Sequence, residues 1–162
     1  MKVLFATAEY APVARVGGLA QAAAGLVAAL RELDVDVEVV LPDYAATPLE
    51  DETFTTLAVP PWAGPATARH GHLEGVGRIT LVSASGIERS HPYLEPAGQG
   101  WPDNDHRFFA FSAAVAALTE QHAPDILHLN DWHTAAVLAF LGTPRPPTVL
   151  TIHTIALSLI HI

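Results

Sequence analysis

Apolar and polar positions along the chain fall into blocks whose period switches between strand and helix. Val3 to Ala8 ("VLFATA") is a short, nearly unbroken apolar run, which predicts a strand covered on both faces. Leu19, Ala22, Ala23, Leu26, Val27, Leu30 and Leu33 then recur at helical spacing, so a helix is expected from Gly18 to Leu33. Val35 to Pro42 ("VDVEVVLP") reads as a second strand stopped by proline. A strand, helix and strand in this order imply parallel strands joined by a right-handed crossover.

Between residues 43 and 105 the pattern loosens. "FTTLAV", "ATARHGHLEGV" and "GRITLVSA" predict short strands separated by Gly and Pro. Capping residues at Asp103 to Asp105 then open a helix that runs to His122. "PDILHL" is a strand, "DWHTAAVLAFL" a helix with Asp131 at its N-cap, and "PTVLTIH" a further strand. The whole reads as an α/β domain: a Rossmann-like, mostly parallel sheet with helices on both faces and a β-rich insertion. The last strand should feed a further helix, so residues 1–162 read as a truncated front part of a larger protein. The final "LSLIHI", residues 157–162, looks like a non-native tail.

Composition narrows the function classes. The 162 residues are 50% hydrophobic, enough for one substantial core. No apolar run reaches the length of a membrane span, and "MKVLFATAEYAP" is interrupted too soon for a signal peptide. With no cysteine, disulfides and thiolate metal sites are excluded. A net charge of −9 argues against nucleic acid as a partner. A soluble cytoplasmic protein is expected. Only eight Lys or Arg are present, so a cation beside a glycine turn carries weight.

Three loops at carboxyl ends of predicted strands carry candidate chemistry. "ARVGGLAQ" places Arg15, Gly17 and Gly18 at a strand-to-helix junction. Two readings stay open there, a tight turn or a backbone left bare for a phosphate. "HLNDWHTAA" supplies Asp131, Trp132 and His133, with capping and core packing as alternatives to a site. His153 ends the last strand. Glu9 and Tyr10 could face the same crevice. His128 and His133 lack the spacing of a zinc site, His70 and His72 read as alternating positions on an exposed strand, and no metal is expected. No nucleophile stands beside a base.

Taken in order, "KVLFATAEYAPVARVGGLAQAAAGLVAAL", "DVEVVLPDY", "PDNDHRFFAFSAAV", "PDILHLNDWHTAAVLAFL" and "TVLTIH" resemble the N-terminal domain of bacterial glycogen synthases and plant starch synthases. The resemblance implies the N-terminal half of a two-domain GT-B fold, with the C-terminal nucleotide-binding domain absent from this chain. It implies a hexosyltransferase that passes glucose from ADP-glucose to the non-reducing end of an α-1,4-glucan, without metal or cofactor. Donor contacts would fall to Arg15, Gly17, Gly18, Gln21 and His153, and sugar or acceptor contacts to Tyr10, Asp131, Trp132 and His133. His153 and Asp131 would be the catalytic pair. The chain departs from the family at Arg15, where lysine is usual, at Gln21, where a carboxylate is usual, and at Thr154, where asparagine is usual. These leave two alternatives: a transferase using another nucleotide sugar, or a non-catalytic glucan- or nucleotide-sugar-binding domain. A Rossmann oxidoreductase is disfavoured by the missing glycine fingerprint. The 162-residue chain alone is expected to show negligible transferase activity.

Overall fold

The computed structural model describes residues 1–153; Thr154 and the 157–162 tail lie outside the described residues. Seven strands form one sheet: β1 (Lys2–Ala6), β2 (Asp36–Pro42), β3 (Glu50–Leu57), β4 (Ala66–Leu73), β5 (Gly77–Ser83), β6 (Ile126–Asn130) and β7 (Thr148–Thr151). Their order across the sheet is β3-β4-β5-β2-β1-β6-β7. The run β5-β2-β1-β6-β7 is parallel, while β3 and β4 extend it as antiparallel neighbours of β5. The α/β class and mostly parallel sheet expected from the sequence are therefore present.

Helix α1 (Gly18–Glu32) joins β1 to β2, and α2 (Asn104–His122) joins β5 to β6. The two crossovers run in opposite directions across the sheet. Right-handedness then puts α1 and α2 on opposite faces. β1 and β2 are buried almost throughout, as strands covered on both sides must be. Helix α1 buries one stripe, Leu19, Ala20, Ala23 and Val27. Helix α2 is buried nearly all round because it lies between the sheet and two short helices, α3 (Trp132–Ala135) and α4 (Val137–Phe140).

Three boundaries differ from the sequence reading for physical reasons. β1 ends at Ala6 rather than Ala8, because the Thr7 hydroxyl donates to the Glu9 carbonyl (2.9 Å) and turns the chain. β3 begins four residues before "FTTLAV", at Glu50; it is an exposed edge strand whose polar start carries no hydrophobic signal. The single helix expected over "DWHTAAVLAFL" is broken at Ala136, where bonds spanning three residues (Thr134 N–H to Asp131 O, Ala139 N–H to Ala136 O) tighten the turns.

Candidate functional site

β1 has β2 on one side and β6 on the other, so the chain's connections diverge between β1 and β6. In open α/β sheets this switch point opens a crevice at the carboxyl ends of the strands. The loop after β1 (residues 7–17), the loop after β6 (from Asp131) and the end of β7 all reach that edge.

The first loop is organised by Glu9. The residue is 4% exposed, and its carboxylate accepts from the Val16 N–H (2.9 Å) and the Gly17 N–H (2.7 Å) through Oε2, and from the Tyr93 hydroxyl (2.8 Å) through Oε1. Gly17, the N-cap of α1, has no side chain to cap the helix, and no acidic residue occupies the first turn. Glu9 supplies the negative end from outside the helix. This corrects part of the sequence reading: the Gly17 N–H is committed to Glu9. Gly18 opens α1, and its N–H has no intrahelical partner.

Neither glycine is there for backbone reasons. Gly17 has φ −132° and ψ −162°, an extended conformation any residue adopts. A Cβ on Gly17 would meet only the Glu9 carboxylate, at 4.0 Å, and one on Gly18 would meet nothing within 4 Å. The tight-turn alternative therefore loses its basis, and what remains is a bare, exposed stretch of backbone at a helix N-terminus. Arg15 and Gln21 are exposed beside it, and Arg15 makes no ion pair among the described residues. Tyr10 is different. It pairs through its backbone with Ala14, and the residue is 4% exposed and packs within the core.

The second loop holds Asp131 in an uncommon conformation, φ +63° and ψ −178°, a region almost restricted to glycine. Three sets of bonds keep it there: its N–H donates to the Thr151 carbonyl (2.7 Å), its Oδ1 accepts from the Trp132 N–H (2.9 Å), and its carbonyl accepts from the Thr134 N–H (3.2 Å) and hydroxyl (3.3 Å). The expected N-cap is thus real, and it is strained.

Beneath Asp131, His133 is buried against Trp132, Tyr93 and Phe108, with ring centroids 4.0, 5.0 and 4.7 Å away. Burial, with the Arg107 charge nearby, pushes its imidazole down to about 3, so it is neutral at physiological pH, and its Nδ1 has no hydrogen-bond partner. His153 is exposed in a bend two residues beyond β7.

The sequence reading missed two residues that join these loops. Tyr93, from the long connection before α2, links Glu9 to His133 by hydrogen bond and by stacking. Arg107 is fully buried; it donates to the carbonyls of Pro92 (2.8 Å) and Ile87 (3.1 Å) and to Asn104 Oδ1 (3.1 Å). A lone arginine at the head of the apolar run "RFFAFSAAVAAL" was the available signal for it. Tyr93 sits in polar, glycine-rich sequence with no periodicity and offered none.

Three comparisons bear on this crevice. A family model described as the starch synthase catalytic domain matches residues 2–160. The glycogen synthase of Halorhodospira halophila is 40% identical over 167 residues, covering 96% of this chain and 35% of that protein. That of Dechloromonas aromatica is 37% identical, covering 96% and 34%. Among solved structures, the catalytic domain of starch synthase IV from Arabidopsis thaliana, bound to ADP and acarbose, superposes with a TM-score of 0.72 at 28% identity. That match covers 94% of this chain and 34% of the other. The chain thus spans about a third of the length of the relatives it matches. With the family model matched over nearly its whole length and the same α/β sheet in place, the chain belongs to the starch synthase catalytic domain family.

Proposed function

We propose that the chain forms the N-terminal, Rossmann-like half of a two-domain glucosyltransferase of glycogen or starch synthesis. In the complete enzyme a C-terminal nucleotide-binding domain closes over the crevice. The reaction transfers glucose from ADP-glucose to the non-reducing end of an α-1,4-glucan. The bond between glucose C1 and the β-phosphate oxygen breaks, and a bond from C1 to the acceptor oxygen forms as that hydroxyl loses its proton.

The observation that carries this reading is the exposed, side-chain-free backbone at Gly17 and Gly18, where an added Cβ would meet nothing closer than 4.0 Å among the described residues. Negative charge gathers on the departing diphosphate. The positive end of α1, the Gly18 N–H and the Arg15 guanidinium are suited to receive it without rearranging. Gln21 adds no charge here, and the Glu9 carboxylate at this end of α1 is spent on the Val16 and Gly17 N–H groups. Asp131 Oδ1 is held by the Trp132 N–H, which leaves Oδ2 to orient a sugar hydroxyl, and His153 can hydrogen-bond the same sugar. Trp132 and His133 support the loop from below. The binding of ADP and acarbose by the Arabidopsis domain supports the same ligand classes here. A cytoplasmic setting goes with this reading.

The test is a graft. This chain replaces the matching segment of the Halorhodospira halophila glycogen synthase, and incorporation of radiolabelled glucose into glycogen is followed with ADP-glucose and UDP-glucose as donors. Turnover with ADP-glucose is expected. A folded graft that binds glucan but transfers from neither donor would overturn the reading in favour of a non-catalytic binding domain, and turnover with UDP-glucose alone would reassign the donor.

A further inference from the structure

At the amino edge of the sheet, away from the crevice, three side chains from distant parts of the sequence converge. Glu38 of β2, His70 of β4 and His122 at the end of α2 each offer a ligand atom, and these atoms all lie within 4.8 Å of one another. We propose that they bind one divalent transition-metal ion of the zinc class, with water from the adjoining cleft completing its coordination.

Spacing is the first argument. Tetrahedral ligands at about 2.0–2.1 Å from zinc stand roughly 3.3 Å apart. Glu38 Oε2 and His122 Nδ1 are 3.2 Å apart, and Glu38 Oε1 and His70 Nδ1 are 3.8 Å apart. The two separations are to different oxygens of Glu38, so an ion held by both imidazoles spans the carboxylate, and the His70 ring gives up its 2.9 Å contact with the Thr80 hydroxyl to reach it. The two imidazoles already lie side by side, with centroids 5.3 Å apart and planes 33° apart.

The surroundings are the second. Thr80 donates its hydroxyl to Glu38 Oε1 (2.6 Å), fixing the carboxylate. The Thr80 proton goes to Glu38, so His70 Nδ1 donates in its 2.9 Å contact with the Thr80 hydroxyl; taking up an ion moves that proton to Nε2, which lies 3.0 Å from the Thr55 hydroxyl. A cleft of about 420 Å³ opens onto the three residues, with Asp51 and His72 also on its wall, so water can reach the open position. Two cations share this cleft. Arg78 is 4.0 Å from Glu38 Oε2 but is held by Asp36 at 2.7 Å, and Lys2 donates to the His122 carbonyl at 3.2 Å. The chemistry is that of two neutral imidazoles and one carboxylate, a donor set that suits zinc over magnesium or calcium. An ion there would tie β2 and β4 to the end of α2, clamping the antiparallel extension to the parallel sheet. His70 and His72 looked alike on one strand, yet His70 turns inward and His72 is exposed.

The 162-residue chain, stripped with chelator, is titrated with Zn²⁺ against a chromophoric indicator, with Mg²⁺ as a control. One Zn²⁺ per chain is expected, with Kd below about 10 µM, no Mg²⁺ binding and a higher melting temperature with zinc. His70→Gln and His122→Gln should each weaken binding by about tenfold or more, while His106→Gln leaves it unchanged. Imidazole ¹⁵N NMR on the unaltered chain covers the case of a variant that does not fold. The His70 and His122 ring signals should move on adding Zn²⁺. No stoichiometric zinc, affinity undiminished in both variants, or shifts confined to other histidines would overturn the proposal.

Discussion

The strain at Asp131 can be measured by comparing two substitutions, Asp131→Gly and Asp131→Ala. Both remove the carboxylate and with it the bond from the Trp132 N–H, so loss of the cap cancels between them. They differ in Cβ. At φ +63° and ψ −178° a Cβ costs about 1–3 kcal/mol, which Gly relieves and Ala keeps. Gly also has the more disordered unfolded state, which costs it about 0.4–1 kcal/mol relative to Ala. The balance leaves Asp131→Gly more stable than Asp131→Ala by about 1.3 kcal/mol at mid-range, within limits of about 0–2.6 kcal/mol, reversing the usual order of these residues. For a chain of this size the mid-range value is a gap in Tm of roughly 3–5 °C. Urea and thermal unfolding at pH 7 read it directly. An Ala variant as stable as the Gly variant, or more so, would refute the claim that the Asp131 backbone is strained. In the grafted enzyme both variants should lose at least about tenfold in kcat/KM, because the group proposed to orient sugar is gone whether or not the backbone relaxes.

Other outcomes follow from the same geometry. Gly18→Val in the graft should lower kcat/KM for ADP-glucose by about tenfold or more and change Tm by little, since nothing lies within 4 Å of the added Cβ; an unaffected kcat/KM would remove the glycines from the donor site. Glu9→Gln should destabilise the chain by about 1–3 kcal/mol, because the charged acceptor of two amides and the Tyr93 hydroxyl is replaced by a neutral amide; Tyr93→Phe should cost less, as only one of those bonds is lost. His133 has a folded-state pKa of about 3, below its unfolded value near 6.5, so the unfolded chain takes up the proton first and stability falls as pH drops below about 6.5. Between pH 7 and pH 5 that amounts to about 2 kcal/mol, and His133→Gln should flatten the curve in this window. His128, also pushed down by burial, adds a change of the same sign, while Glu38, held low by its histidine and threonine partners, acts only below its ordinary range near 4.5. Finally, the 162-residue chain by itself should incorporate no measurable glucose, and ordinary turnover by the chain alone would refute the two-domain reading.

Periodicity alone was enough to locate the two long helices, the buried parallel strands and the order in which they alternate. Each depends on a local match between side-chain spacing and one face of an element, which is a property of neighbouring residues. The same holds for Asp131 as a cap, and for the loops gathered at the carboxyl edge, since chain direction fixes which end of a parallel strand a loop leaves. Whether the glycines at 17 and 18 formed a turn or an opening was not written locally. It depended on dihedral angles and on which atoms stood near two missing Cβ positions. Tyr10 moved into the core, and Glu9 took up the Gly17 amide, because the loop between them folds back on itself. Tyr93 reached Glu9 across 84 residues, and Glu38 met His122 across the same span. Such contacts come from crossovers that bring distant strands and helices side by side. Their partners share no periodicity, so only the assembled sheet could bring them together.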